Sequence, residues 1–260
     1  MDENRRNFLK IAGASAVGAA WGIPVVSAIA KALKTEKLPS ARTAERWALV
    51  VDTEKCRASE VQRACSQACH MIHNVPTIDN KNHEVKWIWN QKYFEAFPDQ
   101  THEHTADQLK NRDVLVLCNH CKNAPCVRVC PTGATFKRSD GVVMMDQHRC
   151  IGCRYCMAAC PYGARSFNWK DPREHIKSVT ENFPTRTKGV VEKCNLCAER
   201  LAKGLEPACV EAANRIAGPE AMIFGDLGKP NSAVARALQA KRTIQRKPGL
   251  GTSPSVFYVV

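Results

Sequence analysis

Apolar positions along this chain fall in short, separated runs and not in long periodic stretches, the pattern of a protein built from many small elements. Residues 47–51, Trp-Ala-Leu-Val-Val, are a β-rich run ending at Asp52 and predict a strand. Trp87-Ile88-Trp89 predicts another, and the apolar run 114–117 leads directly into Cys118. Residues 134–146 predict a β-hairpin turning at Asp140-Gly141. Residues 222–226 predict a strand and turn. Asn231 is expected to cap a short helix with Val234 and Leu238 on one face. The tail, 251–260, is expected to be extended and docked through Val256, Phe257 and Tyr258. Two polar insertions interrupt the series, 93–108 and the proline-broken 170–188. The first holds His102 and His104, candidate metal ligands that a loop this polar is expected to leave solvated.

The chemistry lies between Cys118 and Pro161. Cys118, Cys121, Cys126 and Cys130-Pro131 are followed by Cys150, Cys153, Cys156 and Cys160-Pro161. The second run has the C-x2-C-x2-C-x3-C-P spacing of bacterial [4Fe–4S] ferredoxins; the first is the same with two residues inserted before its third cysteine. A cubane needs four thiolates, and a tight loop aims only three from one side. The Cys-Pro turn carries the fourth away, because proline cannot continue a regular ladder. Two such runs build two clusters by exchange: Cys118, Cys121, Cys126 with Cys160 (site A), and Cys150, Cys153, Cys156 with Cys130 (site B). Pro-Thr-Gly-Ala after Cys130 and Pro-Tyr-Gly-Ala after Cys160 mark the unit as an internal repeat. Zinc sites use pairs of ligands with a longer spacer, and cysteines three apart match disulfide geometry poorly.

At its start the chain reads Arg5-Arg6-Asn7-Phe8-Leu9-Lys10, then a mildly apolar run to Ile29 with an A-x-A site at Ala28-Ile29-Ala30. This resembles a twin-arginine (Tat) export signal over residues 1–30, with Asn4 where Ser or Thr is more usual. Its Gly and Ala content suits a weakly apolar signal better than a permanent membrane span. Export of a folded protein fits iron–sulfur chemistry, since clusters are loaded in the reducing cytoplasm. Residues 31–45 read as a polar, basic linker, and the mature protein is expected to work outside the inner membrane.

Between residues 47 and 258 the chain resembles the four-cluster electron-transfer subunits of polysulfide, dimethyl-sulfoxide, tetrathionate and nitrite reductases. That family carries four cysteine groups; the first and fourth exchange their last ligand, as do the second and third. Cys194-x2-Cys197-x11-Cys209 matches the fourth group, with Leu205-Glu206-Pro207-Ala208 before its last cysteine. The resemblance implies an α+β fold of tandem, intertwined ferredoxin-like modules with inserted loops and hairpins. Residues 46–113 and 171–230 would form the two halves of an outer module, 114–170 an inner dicluster module, and 231–260 a C-terminal helix and tail. It also implies a third cluster, site C, on Cys194, Cys197, Cys209 and Cys69. Two positions depart from the family: Ala213 stands where the fourth group should end in cysteine, and Ser59 where the first group should have its second. Both losses fall on one cluster, that of Cys56 and Cys65, so the resemblance implies three [4Fe–4S] clusters and a vacated fourth site.

Three clusters, an export signal and the closing Leu250-Gly251-Thr252-x-Pro254 narrow the likeness to the DsrO-type subunits of DsrMKJOP membrane complexes in sulfur metabolism. The implied partners are an integral membrane quinone-interacting subunit of NrfD/DsrP type, a multihaem cytochrome c of DsrJ type and the other DsrMKJOP subunits. The alternative is the electron-transfer subunit of a molybdopterin polysulfide- or tetrathionate-type reductase. Cys56 and Cys65 remain open between a disulfide, free thiols and a mononuclear metal site helped by His70 or His73.

The 14 cysteines and a formal charge of +13 fit this reading. Three dicationic cubanes on twelve thiolates would remove about six charges and leave about +7. A basic zinc protein binding nucleic acid is disfavoured by the export signal. No Gly-rich nucleotide loop stands in strand–helix context, and no cubane lacks a fourth thiolate, so an electron carrier and not an enzyme is expected. Ile151, Met157, Val127, Val129 and Phe136 are expected as the apolar shell of the clusters. Lys122, Arg128, Arg149, Arg154 and Lys193 are either cations that raise cluster potentials or solvated charges.

Overall fold

The computed structural model describes residues 41–260; the twin-arginine segment and all but the last five residues of the segment read as a linker lie outside them. Those last residues run along the body. Arg42 donates from its amide to the Leu201 carbonyl and from its side chain to Gly204 and Glu206.

The main sheet is built on β1 (Trp47–Asp52). β8 (Met222–Asp226) pairs antiparallel to β1 and β10 (Val256–Val259) pairs parallel to it, with Leu49 opposite both Phe224 and Val256. β9 (Thr243–Ile244) completes the edge beside β10, which gives the order β8-β1-β10-β9. Both faces of β1 are covered, which is why it reads as an unbroken apolar run. Leu49 and Val51 enter the main core, while Ala48 and Val50 pack beneath the helix Ala233–Ala240. The cap of that helix is Ser232, not the expected Asn231. The Ser232 hydroxyl accepts from the Ala235 amide at 3.0 Å, while Asn231 offers its carbonyl to Arg236.

Three two-stranded ribbons surround the cysteine loops: β2 (Ile88–Lys92) with β3 (Asp113–Leu117), β4 (Thr135–Lys137) with β5 (Val143–Met145), and β6 (Ser166–Phe167) with β7 (Val191–Glu192). The β4–β5 hairpin turns at Asp140-Gly141 as the pattern indicates, with Gly141 at φ +83°. Two longer helices, α1 (Ser59–Ile72) and α2 (Ala208–Ala217), pack against each other and carry the outer cysteines. The result is an α+β fold of ferredoxin-like modules. His102 and His104 lie on an exposed loop, as their polar surroundings imply. Among the described residues no helix is long and apolar enough to cross a membrane.

Candidate metal centres

The Cys-x2-Cys loop that opens each of the three runs, at Cys118, Cys150 and Cys194, turns in the same way. The residue before the second cysteine is left-handed in all three: His120 at φ +40°, Gly152 at +72° and Leu196 at +57°. Such a residue folds the loop back so that both sulfurs face one side. At Gly152 the space is also taken, since a Cβ would lie 2.5 Å from the Gly189 carbonyl oxygen. The Cys-Pro turns repeat as well. Gly133 and Gly163 share φ +65°, and each donates to the carbonyl of its own cysteine, Cys130 or Cys160, at 3.4 Å.

These turns gather the cysteines. Cys118, Cys121, Cys126 and Cys160 line one cavity, walled by Ala124, Val143, Tyr162 and Ala164. Cys130, Cys150, Cys153 and Cys156 line a second, with Ala134, Met145 and Val191. Cys69 reaches from α1 to Cys194, Cys197 and Cys209; burial, then mutual repulsion, pushes its thiol well above a cysteine's ordinary range. Burial and the neighbouring Cys118 raise Cys194 to about 12. Four buried sulfurs that disfavour one another's charge are the donor set that a cationic iron–sulfur core suits.

Hydrogen bonds set three of these sulfurs apart from Cys56 and Cys65. The amides of Thr135, Leu196 and Ala208 donate to the sulfurs of Cys130, Cys194 and Cys197, each at 3.4 Å. A sulfur that accepts amide protons is held as a thiolate is held. At Cys130 burial raises the pKa, but the Thr135 amide and the Thr132 hydroxyl outweigh it, and the thiol falls below its usual value. At Cys118 burial is likewise outweighed, by His120 and the Lys193 ammonium, and the thiol lies well below that value.

Cys56 and Cys65 behave oppositely. Their sulfurs face carbonyl oxygens, Ala221 at 3.3 Å and Cys209 at 3.4 Å, so each is a donor and keeps its proton. Burial raises both to about 12. Ser59 sits exposed at the start of α1, and Ala58 before it is extended at φ −62°, not left-handed. Ala213 is fully buried on α2, one turn beyond Cys209. His73 serves elsewhere: its Nδ1 meets the Cys69 carbonyl at 2.9 Å and its Nε2 meets Glu199 at 2.8 Å. With Cys197 it forms a compact His–Cys–Glu set beside site C.

The expected apolar shell needs correcting. Val127 and Met157 pack against the core and Ile151, though 67% exposed, lines the cavity of site B, but Val129 and Phe136 are exposed. The rest of the cavity walls come from Val143, Ala164, Tyr162 and Val191, residues whose proximity follows from ribbon pairing and not from the spacing of the cysteines. Of the five expected cations, Lys193 is buried and donates to the Val143 and Cys194 carbonyls, whereas Lys122, Arg128, Arg149 and Arg154 are exposed. His120 and Arg165 are not singled out by the spacing. Both are buried beside cysteines, and the only sequence signal is a polar residue inside or just after a ligand run.

The 4Fe-4S dicluster domain family model matches residues 114–226. The chain is 41% identical to the Hdr-like menaquinol oxidoreductase iron-sulfur subunit 1 of Archaeoglobus fulgidus, over 98% of this chain and 97% of the relative. It is 34% identical to the B subunit of tetrathionate reductase from Salmonella typhimurium, over 100% of this chain and 89% of the relative. It is 33% identical to the B component of polysulfide reductase from Wolinella succinogenes, over 83% and 95%. With cysteine loops of this geometry and relatives matched along nearly their whole length, the protein belongs to the family of [4Fe–4S] electron-transfer subunits of oxidoreductase complexes.

Proposed function

We propose that this chain carries three [4Fe–4S] clusters, at sites A, B and C, and relays electrons between a membrane quinone-interacting subunit and redox partners outside the membrane. The observation that carries the count is the polarity of the sulfur hydrogen bonds. Amides donate to Cys130, Cys194 and Cys197, whereas Cys56 and Cys65 donate to carbonyls, which supports a fourth site without iron. A cluster, when bound, takes up and releases one electron. The chain's own residues hold it, keep water out and set how favourable its reduction is.

Site B is the point of exchange in this reading. Cys130, Cys150 and Cys153 are only partly buried, whereas all four cysteines of site C are buried. Ile151 and Tyr155, 67% and 63% exposed, stand beside site B with the half-exposed Trp169, an apolar patch suited to a partner surface. A quinone-interacting partner is supported by the menaquinol oxidoreductase subunit among the relatives. Three clusters with the closing Leu250-Gly251-Thr252-x-Pro254 support the DsrO-type reading, with a DsrP-type membrane partner and a DsrJ-type cytochrome c. Export by the twin-arginine route, supported by Arg5-Arg6, would put the chain on the outer face of the inner membrane.

Anaerobic iron analysis tests the count: about twelve irons per chain are expected, and about sixteen would mean an occupied fourth site. Reduction by a menaquinol analogue in membranes containing the whole complex, lost on stripping this subunit and restored by adding it back, tests the relay.

A further inference from the structure

Arg165 follows Cys160 by five residues, just after the left-handed turn at Gly163. It is 5% exposed and lines the cavity of site A. Its Nη1 donates to the Thr135 hydroxyl at 3.0 Å and points at the Met145 sulfur at 3.7 Å. Thr135 gives its amide to Cys130, and Met145 lines the cavity of site B, so the guanidinium is anchored from the wall of one site while bordering the other. Its Nη2 is buried without a hydrogen-bond partner.

Arg165 also has no carboxylate. Of the other buried guanidiniums, Arg186 is paired with Glu192, and Arg246, over the Tyr162 ring, donates to the Ala96 carbonyl and the Gln91 side chain and borders Cys160 of site A alone. Among the described residues Arg165 has no ion-pair partner; its charge faces the sulfurs of Cys126 and Cys118 of site A and Cys156 of site B. A buried, unneutralised guanidinium is costly unless anions compensate it. Here the anions are ligand sulfurs from two sites at once.

Resting on the three-cluster reading, we propose that Arg165 is the shared countercation of the clusters at sites A and B, stabilising the reduced state of both. Each one-electron reduction adds a unit of negative charge to a cluster with four thiolates. A fixed cation in a poorly polarisable interior favours that addition. Guanidinium does not deprotonate, so the effect is constant with pH. Site C is bordered by both signs: Glu199 opposes negative charge on Cys69, Cys194 and Cys197, while Lys193 favours it at Cys194 and Arg200 at Cys197, so Arg165 is not expected to act there.

The test is redox titration of the loaded full-length chain, followed by electron paramagnetic resonance, in wild type, Arg165→Gln and Arg165→Lys. In Arg165→Gln the electron affinities of clusters A and B are expected to fall about tenfold each, about 59 mV for a one-electron couple, with cluster C unmoved. Arg165→Lys is expected to recover most of the loss. Arg165→Gln with about twelve irons and unshifted A and B overturns the proposal alone; wild type without iron overturns the cluster reading and this with it. If Arg165→Gln loses iron, protein grown on 15N-arginine decides. Hyperfine coupling from 15N at clusters A and B, present in wild type and lost in Arg165→Lys, supports the bridge, and coupling unchanged between the two overturns it.

Discussion

The Cys65 thiol donates to the backbone carbonyl of Cys209, 3.4 Å away, across the packed faces of α1 and α2. Cys69 lies one turn further along α1 and turns instead toward Cys194, Cys197 and Cys209. One helix face therefore carries two cysteines with opposite duties. A sulfur that must donate a proton to a carbonyl cannot at the same time offer a thiolate to iron.

From this pairing, Cys65→Ala should leave about twelve irons per chain and cost about 1–3 kcal/mol of stability, by opening a small buried space and removing the thiol's hydrogen bond. Cys69→Ala should lose or degrade the cluster at site C. Iron analysis with resonance spectra of both variants checks the contrast. Equal iron loss in the two would mean that Cys65 is a ligand.

Ala213→Cys restores the missing residue of the fourth group but should not restore a fourth cluster. Ala213 is fully buried, and added bulk there should cost about 1–3 kcal/mol. The second ligand would have to come from Ser59, which faces solvent from the start of α1. Iron should stay at about twelve while the melting temperature falls.

The cysteine runs made sites A and B legible because a cubane constrains local spacing tightly, and the β-runs and hairpin were legible because period and turn chemistry are local. What could not be read depends on pairing between distant segments. The parallel partnership of β10 with β1 joins Val256 to Leu49, and nothing in either segment names the other. Arg165 is silent in the sequence because its meaning comes from Thr135 and Met145, brought close by the β4–β5 hairpin. Val129 looks like cluster shell by adjacency to Cys130, yet adjacent residues on a turning loop point different ways, and it is exposed.

The proline-broken insertion 170–188 is tied down by a buried ion pair. Arg186 Nη2 meets Glu192 at 2.6 Å, and Glu192 also accepts from Trp87 at 3.0 Å and Asn168 at 2.6 Å. Arg186 further holds the carbonyls of His73 and Asn74. Glu192→Gln strands the guanidinium and should destabilise the protein by about 3–5 kcal/mol, read from denaturant unfolding of the loaded form. A loss under about 1 kcal/mol would show that the pair is replaceable.

Acid should weaken the region around α1. At Glu199 burial raises the carboxylate's pKa, but His73 and Asn195 outweigh it and the group lies below its ordinary value. Its contribution is present above the unfolded carboxylate range and lost as pH falls through the folded pKa. Burial, then His73, lowers His70, so its neutral form is favoured in the fold and its contribution fades as pH drops below about 6.5. Both slopes have the same sign. Stability of wild type should fall between neutral pH and about pH 4, and Glu199→Gln should flatten the lower part of that curve.

Arg154 joins the potential of site B to the surface where a partner would dock. It is itself left-handed, at φ +62°, directly after Cys153, and exposed. Its guanidinium lies over Trp169 at 4.9 Å and Phe167 at 5.5 Å from the ring centroids, which fixes a cation on the apolar patch. Arg154→Glu exchanges that cation for an anion beside the ligands, which opposes reduction and should lower the potential of the cluster at site B alone. The same change should slow electron exchange with an acidic partner at low salt, and the slowing should shrink as ionic strength rises. Solvent screening makes the potential shift smaller than that expected for the buried Arg165, so the two variants rank the effects of depth. A redox titration and a salt series on the loaded protein measure both, and an Arg154→Glu protein unchanged in each would leave this arginine a solvated charge stacked on Trp169.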